Sequence, residues 1–182
     1  MRAFVALTLP QATREALEAV QQVLNLLRPV DPDQMHLTLA FVDDQPGPVL
    51  EELHLALEAL RAPAMDLRLT GLDGFGDPLR QVHATLAPSD ALATLHHRIA
   101  RACMTAGIDL PRRRFRPHVT LARAPIQDAA LARAVAQASA RFPIDWQASE
   151  FALFESHLHR HGPHYRVLAQ YPLALAPAPA RD

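Results

Sequence analysis

The sequence predicts a mixed helix-and-strand fold of two similar lobes facing each other across a cleft, and three observations point to it. The order strand, helix, strand, helix, strand can be read twice along the 182 residues. Two near-identical hexamers, His36-Leu37-Thr38-Leu39-Ala40-Phe41 and His118-Val119-Thr120-Leu121-Ala122-Arg123, occupy the second strand of each copy. Pro10 and Pro88, which end the first strands, lie 78 residues apart and the two histidines 82. Two copies make a duplicated supersecondary unit, whereas a solenoid needs more.

In the first copy, residues 3–9 alternate and are rich in Val, Leu and Phe, a strand ended by Pro10. Leu17, Val20, Leu24 and Leu27 recur at helical spacing until Pro29 and Pro32 stop the helix. A strand follows at 35–42, then a helix with Leu50, Leu53, Leu57 and Leu60 on one face. Met65, Leu67 and Leu69 alternate as a strand, and Gly71, Gly74 and Gly76 mark a turn-rich passage. The second copy opens with a strand at 80–87. Leu92, Leu95, Ile99 and Cys103 then define a helix, with Cys103 in a buried position. A basic loop leads to a strand at 117–123, an Ala-rich helix near 127–140, and strands near 149–154 and 165–171. Residues 1–175 read as one bilobal domain, and 176–182 as a flexible Ala/Pro-rich tail.

Composition narrows the function. No apolar run reaches the roughly 20 residues that span a bilayer, and the N-terminus enters strand-like sequence directly, without a signal peptide. A soluble, cytoplasmic, membrane-free monomer is expected. A single cysteine, Cys103, allows neither an intramolecular disulfide nor a cysteine metal cluster. The net charge of −1 argues against binding long duplexes by wholesale phosphate neutralisation, while short or terminal nucleic acid remains compatible. All 18 basic residues are arginine, so an anion site must be built from Arg, His, hydroxyls or backbone amides.

Strand alternation sends Leu37, Leu39 and Phe41 to the core and His36, Thr38 and Ala40 to the other face; Val119 and Leu121 oppose His118, Thr120 and Ala122 likewise. Each strand thus offers an imidazole, a hydroxyl and a small residue in line, with room for a phosphate. His-x-Thr is weak by itself, and His83-Ala84-Thr85 is a third copy where chance predicts roughly 0.4. Repeat phase separates them. His83 falls opposite Val5 in a first strand, whereas His36 and His118 both lie in second strands, which leaves His83 a cleft-edge or structural residue. Arg112, Arg113, Arg114, Phe115 and Arg116 form either a solvated loop or a backbone-contacting one whose aromatic stacks on an unpaired base. Arg123 has core-side parity on a straight strand and would reach a phosphate only at the strand end. His157, His159 and His161 project from one strand face near His164, but no Asp or Cys accompanies them and Gly162-Pro163 implies a hairpin turn, so no metal site is assigned.

The two signatures, together with Arg2-Ala3-Phe4-Val5-Ala6, Phe115-Arg116-Pro117 and Glu155-Ser156 followed by Gly162, Pro163 and Tyr165, resemble the two-histidine (2H) phosphoesterase superfamily. The similar branch is the RNA 2′,3′-cyclic phosphodiesterases, also called 2′-5′ RNA ligases or LigT-like proteins. The resemblance implies a bilobal α+β fold with antiparallel sheets lining a central cleft. It also implies opening of 2′,3′-cyclic phosphate RNA ends to 2′-phosphates, with His36 as proton donor, His118 as proton acceptor and Thr38 and Thr120 binding the phosphate. No cofactor or metal is expected. Candidate RNA contacts are Arg114, Phe115, Arg116, Arg123, His83 and Tyr165; the partners would be RNA ends such as tRNA halves or short oligonucleotides. Rival readings are a same-fold phosphodiesterase acting on cyclic nucleotides, 2′-5′ oligoadenylates or ADP-ribose cyclic phosphate, and a non-catalytic RNA-end-binding module.

Overall fold

A computed structural model describes residues 1–24, 28–76, 79–123, 127–159 and 162–174. Leu27, His161 and the 176–182 tail lie outside them. The first copy folds as β1 (Arg2–Thr8), α1 (Gln11–Leu24), β2 (His36–Asp44), α2 (Gly47–Glu58) and β3 (Met65–Phe75). The second follows as β4 (Gln81–Leu86), α3 (Asp90–Thr105), β5 (His118–Ala122), α4 (Asp128–Ala138) and β6 (Ile144–Ala148). A hairpin of β7 (Glu150–His159) and β8 (Gly162–Pro172) closes the chain. This is an α+β fold with an antiparallel sheet, and no described helix is long and apolar enough to cross a membrane.

The strands form one hydrogen-bonded sheet in the order β6-β3-β4-β5-β2-β1-β7-β8. Its two four-stranded halves meet through a single residue pair, Leu37 with Val119. The halves are not the two sequence copies. The third strand of the first copy, β3, pairs with β4 of the second, and β7 pairs with β1. This exchange ties the copies together non-locally and puts β2 and β5 side by side at the centre.

One face of the sheet carries the helices. Leu37, Leu39, Val119 and Leu121 pack there with Leu17, Leu53, Leu57, Leu92, Leu95 and Ile99, and burying each such side chain stabilises by roughly 1.5–3 kcal/mol. Ser89 caps α3 by accepting the Leu92 N–H at 3.2 Å, and Cys103 is fully buried on that helix. The other face carries a smaller cluster of Phe4, Ala6, Ala152 and Phe154, edged by Tyr165.

Two elements depart from the sequence reading. Residues 71–75 continue β3 rather than forming turns, because β4 pairs along them. Gly74 serves close packing there: a Cβ would stand 3.0 Å from both Leu131 Cδ2 and Leu79 Cδ2. Of Gly71, Gly74 and Gly76, Gly76 alone, at φ 106°, takes a left-handed turn. The strand β6 was unexpected, although Ile144, Trp146 and Ala148 alternate as buried residues against β3.

Candidate active site

The pairing of Leu37 with Val119 fixes the centre of the site. In that antiparallel register His36 stands across from Thr120 and His118 across from Thr38, all four on the face opposite the helices. The imidazoles are held alike. Nδ1 of His36 donates to the Gln34 carbonyl at 2.8 Å, and Nδ1 of His118 to the Arg116 carbonyl at 2.8 Å. A carbonyl only accepts, so the proton sits on Nδ1 in each neutral ring and Nε2 is the nitrogen free to take or give one.

Their surroundings differ. His36 is walled by Phe4, with ring centroids 4.7 Å apart, and by Tyr165 edge-on at 5.0 Å. His118 touches Phe75 and His83, each at 4.9 Å. Burial pushes the His36 pKa down to about 4, with Arg123 and His118 adding positive charge nearby. Burial and then Arg123 lower His118 against its hydrogen bond to Arg116, so the surroundings of both rings favour the neutral form.

A bulge in each central strand corrects the alternation read from the sequence. Ala6 pairs with Thr38 and Val5 with Ala40, so Leu39 is the extra residue; His83 pairs with Thr120 and Val82 with Ala122, so Leu121 is its counterpart. The phase flips beyond each bulge. Ala40 and Ala122 are buried, not cleft-facing, and Phe41 is 63% exposed instead of lying in the core. Arg123, five residues after His118 as Phe41 is after His36, swings to the cleft face. It lines an open cavity of about 290 Å³ with Arg2, Phe4, His36, Phe41 and Tyr165.

Each bulge carbonyl is held by a side chain from a helix. Nδ1 of His96, on α3, donates to Leu39 O at 2.9 Å, and Nε2 of Gln21, on α1, donates to Leu121 O at 2.7 Å. The ring of Phe115 stacks on His96 with centroids 3.9 Å apart and packs against the core, so that face is not offered to a base. Arg114 and Arg116 are exposed beside the strand that carries His118. Gln34 escaped the sequence reading. Its carbonyl orients His36 while its side-chain oxygen accepts the Tyr165 N–H at 2.7 Å, fastening the hairpin to the histidine turn.

His83 occupies the place of Ala6 rather than Val5, because its strand partner is Thr120 where Ala6 has Thr38. It is 3% exposed, stacks on Phe75 at 4.0 Å, and its Nδ1 has no hydrogen-bond partner among the described residues. Burial, then the neighbouring His118, pushes its pKa down to about 4. The unfolded chain, with histidine near 6.5, therefore binds more protons between about pH 6.5 and 4. Stability is complete above that window and is lost as pH falls through it. His83→Phe is expected to remove up to about 3 kcal/mol of this acid sensitivity, read as a flatter urea midpoint against pH. An unchanged slope would place the acid sensitivity elsewhere.

In the hairpin, His157 Nε2 lies 2.9 Å from Glu155 Oε2, which also accepts from Arg166 at 2.6 Å. His157 pairs in register with His164. The side chain of His159 and all of His161 fall outside the described residues. Among the described residues no three His, Cys, Asp or Glu side chains could share a metal ion.

An antiparallel sheet whose two central strands each lend a carbonyl-anchored imidazole and a threonine to one cleft defines a two-histidine protein. A sequence model of the 2′-5′ RNA ligase superfamily matches residues 7–160, and the chain belongs to that superfamily. It is 32% identical over 191 residues to the RNA 2′,3′-cyclic phosphodiesterase of Thermus thermophilus, covering 95% of this chain and 90% of that protein. Against the Escherichia coli protein of the same name it is 30% identical over 178 residues, with 94% and 96% covered. The Geobacillus stearothermophilus one is 30% identical over 187 residues, covering 96% of this chain, which spans only 58% of that longer relative. The E. coli LigT crystal structure in apo form superposes with a TM-score of 0.79 at 24% identity, covering 95% of this chain and 97% of that one. A Thermus thermophilus crystal structure gives 0.77 at 28%, with 95% and 98% covered. The relatives are named as phosphodiesterases, which are hydrolases.

Proposed function

We propose that this protein hydrolyses 2′,3′-cyclic phosphate ends of RNA to 2′-phosphates, working as a single 1–175 domain and as a monomer. The observation that carries the reading is the matched pair of histidines, each with Nδ1 tied to the carbonyl two residues earlier and Nε2 left ionisable. One neutral ring takes a proton from water as it attacks phosphorus, and the other, protonated, donates to the departing ribose oxygen. Thr38 and Thr120 donate to non-bridging oxygens as charge gathers on them. Arg123 supplies the positive charge in the cleft, supported by its place beside His36. Arg114, Arg116 and Tyr165 are the remaining RNA contacts, for substrates such as tRNA halves or short oligonucleotides. With a 5′-hydroxyl in place of water as the nucleophile, the same pair opens the cyclic end onto that hydroxyl, expelling the ribose 3′ oxygen and leaving a 2′-5′ linkage.

We assign His36 as the acid and His118 as the base. One observation favours the reverse order: burial holds His36 down to about 4, and a neutral imidazole is a base. A bound phosphate anion raises both histidines, so the order is set in the complex.

Proton transfer and charge stabilisation both have protein partners in this scheme. Hydrolysis of an oligonucleotide ending in a 2′,3′-cyclic phosphate is therefore expected to proceed unchanged in excess EDTA. Loss of turnover in EDTA with return on adding a divalent ion would overturn the metal-free mechanism.

A further inference from the structure

We infer that Gln21 is a positioning residue that holds Arg123 in the cleft through the β5 bulge. The inference rests on the reading of Arg123 as the phosphate contact. Gln21 is 6% exposed on α1 and does not line the cleft. Its side-chain nitrogen donates to Leu121 O at 2.7 Å and to Val30 O at 2.8 Å, which uses both amide hydrogens.

Residues 28–30 are the link between these contacts and Arg123. Val30 N–H donates to Leu121 O at 2.8 Å and Arg123 N–H to Arg28 O at 3.2 Å, with Pro29 bridged to Ala122. The segment thus lies along residues 121–123 as a short added strand, and Gln21 staples it to the bulge from the helix side. Arg28 sits at φ 51°, a backbone conformation that persists where surrounding contacts over-determine it. The bulge is what turns Arg123 toward the cleft, so a side chain that fixes the bulge carbonyl fixes the direction of the guanidinium. The other central strand repeats the device, with His96 on the Leu39 carbonyl.

The test is a double-mutant cycle on Gln21→Met, which keeps length and removes the donors, and Arg123→Ala, read as kcat and KM on an oligonucleotide with a 2′,3′-cyclic phosphate end. Arg123→Ala removes a charge-assisted contact and is expected to raise KM roughly 10- to 100-fold. Gln21→Met is expected to reproduce part of that rise, and to add less than about 2-fold when Arg123 is already alanine. The apparent pKa values of the pH–rate profile should move up in both single variants, because Arg123 lowers both histidines. Factors that multiply in the double variant, or a Gln21→Met protein with a lower unfolding midpoint but unchanged KM and pH profile, would overturn the inference and leave the Arg123 reading standing. Wild-type turnover in Arg123→Ala would remove both. Should Gln21→Met not fold, Gln21→Glu, which has one donor when protonated, takes its place under the same criteria.

Discussion

His36→Ala and His118→Ala are each expected to lower turnover of a 2′,3′-cyclic phosphate end by about 10²–10⁴-fold while leaving the fold intact. Each ring lies on the cleft face, and the core beneath is built from Leu37, Leu39, Val119 and Leu121. Truncating His118 removes ring contacts with Phe75 and His83 but no core packing. His36 is more enclosed, between Phe4, Phe154 and Tyr165, so its variant should show the larger drop in unfolding midpoint. Steady-state kinetics beside a thermal melt separates the two effects. Full activity in either folded variant would refute the pairing.

The second large effect is a recovery. When the leaving ribose oxygen is replaced by a much better leaving group, departure no longer needs a proton, so the variant lacking the acid should regain most of its lost rate. With His36 as the acid, His36→Ala recovers and His118→Ala does not. Recovery in His118→Ala alone would give the base to His36, as its burial favours. Recovery in neither would mean that the rings chiefly orient the phosphate.

Much of the site could be read from residue order because the strand period brings His36 with Thr38, and His118 with Thr120, to one face over a few residues. The alternation failed at Leu39 and Leu121. A bulge adds one residue, nothing in Leu-Ala-Phe or Leu-Ala-Arg marks it, and the side chains that follow, Phe41 and Arg123, change face. That is why strand parity puts Phe41 in the core and Arg123 away from the cleft. Gln21 and Gln34 were missed for another reason. Each acts through hydrogen bonds to residues distant along the chain, Leu121 and Tyr165, and a lone glutamine carries no periodic signal. The exchange of β3 and β7 between the halves is likewise a matter of long-range pairing. The strand β6 was legible, since Ile144, Trp146 and Ala148 alternate over five residues, but its shortness hid it behind the adjoining hairpin.

The central claim is that the paired histidines open a cyclic phosphate. Its most direct test is to incubate a short RNA ending in a 2′,3′-cyclic phosphate with the wild-type protein and with the His36→Ala, His118→Ala double variant, and to identify the terminal phosphate formed. The expected result is a 2′-phosphate from the wild type and an unchanged cyclic end from a folded double variant. A 3′-phosphate product, or equal conversion by both proteins, would contradict it.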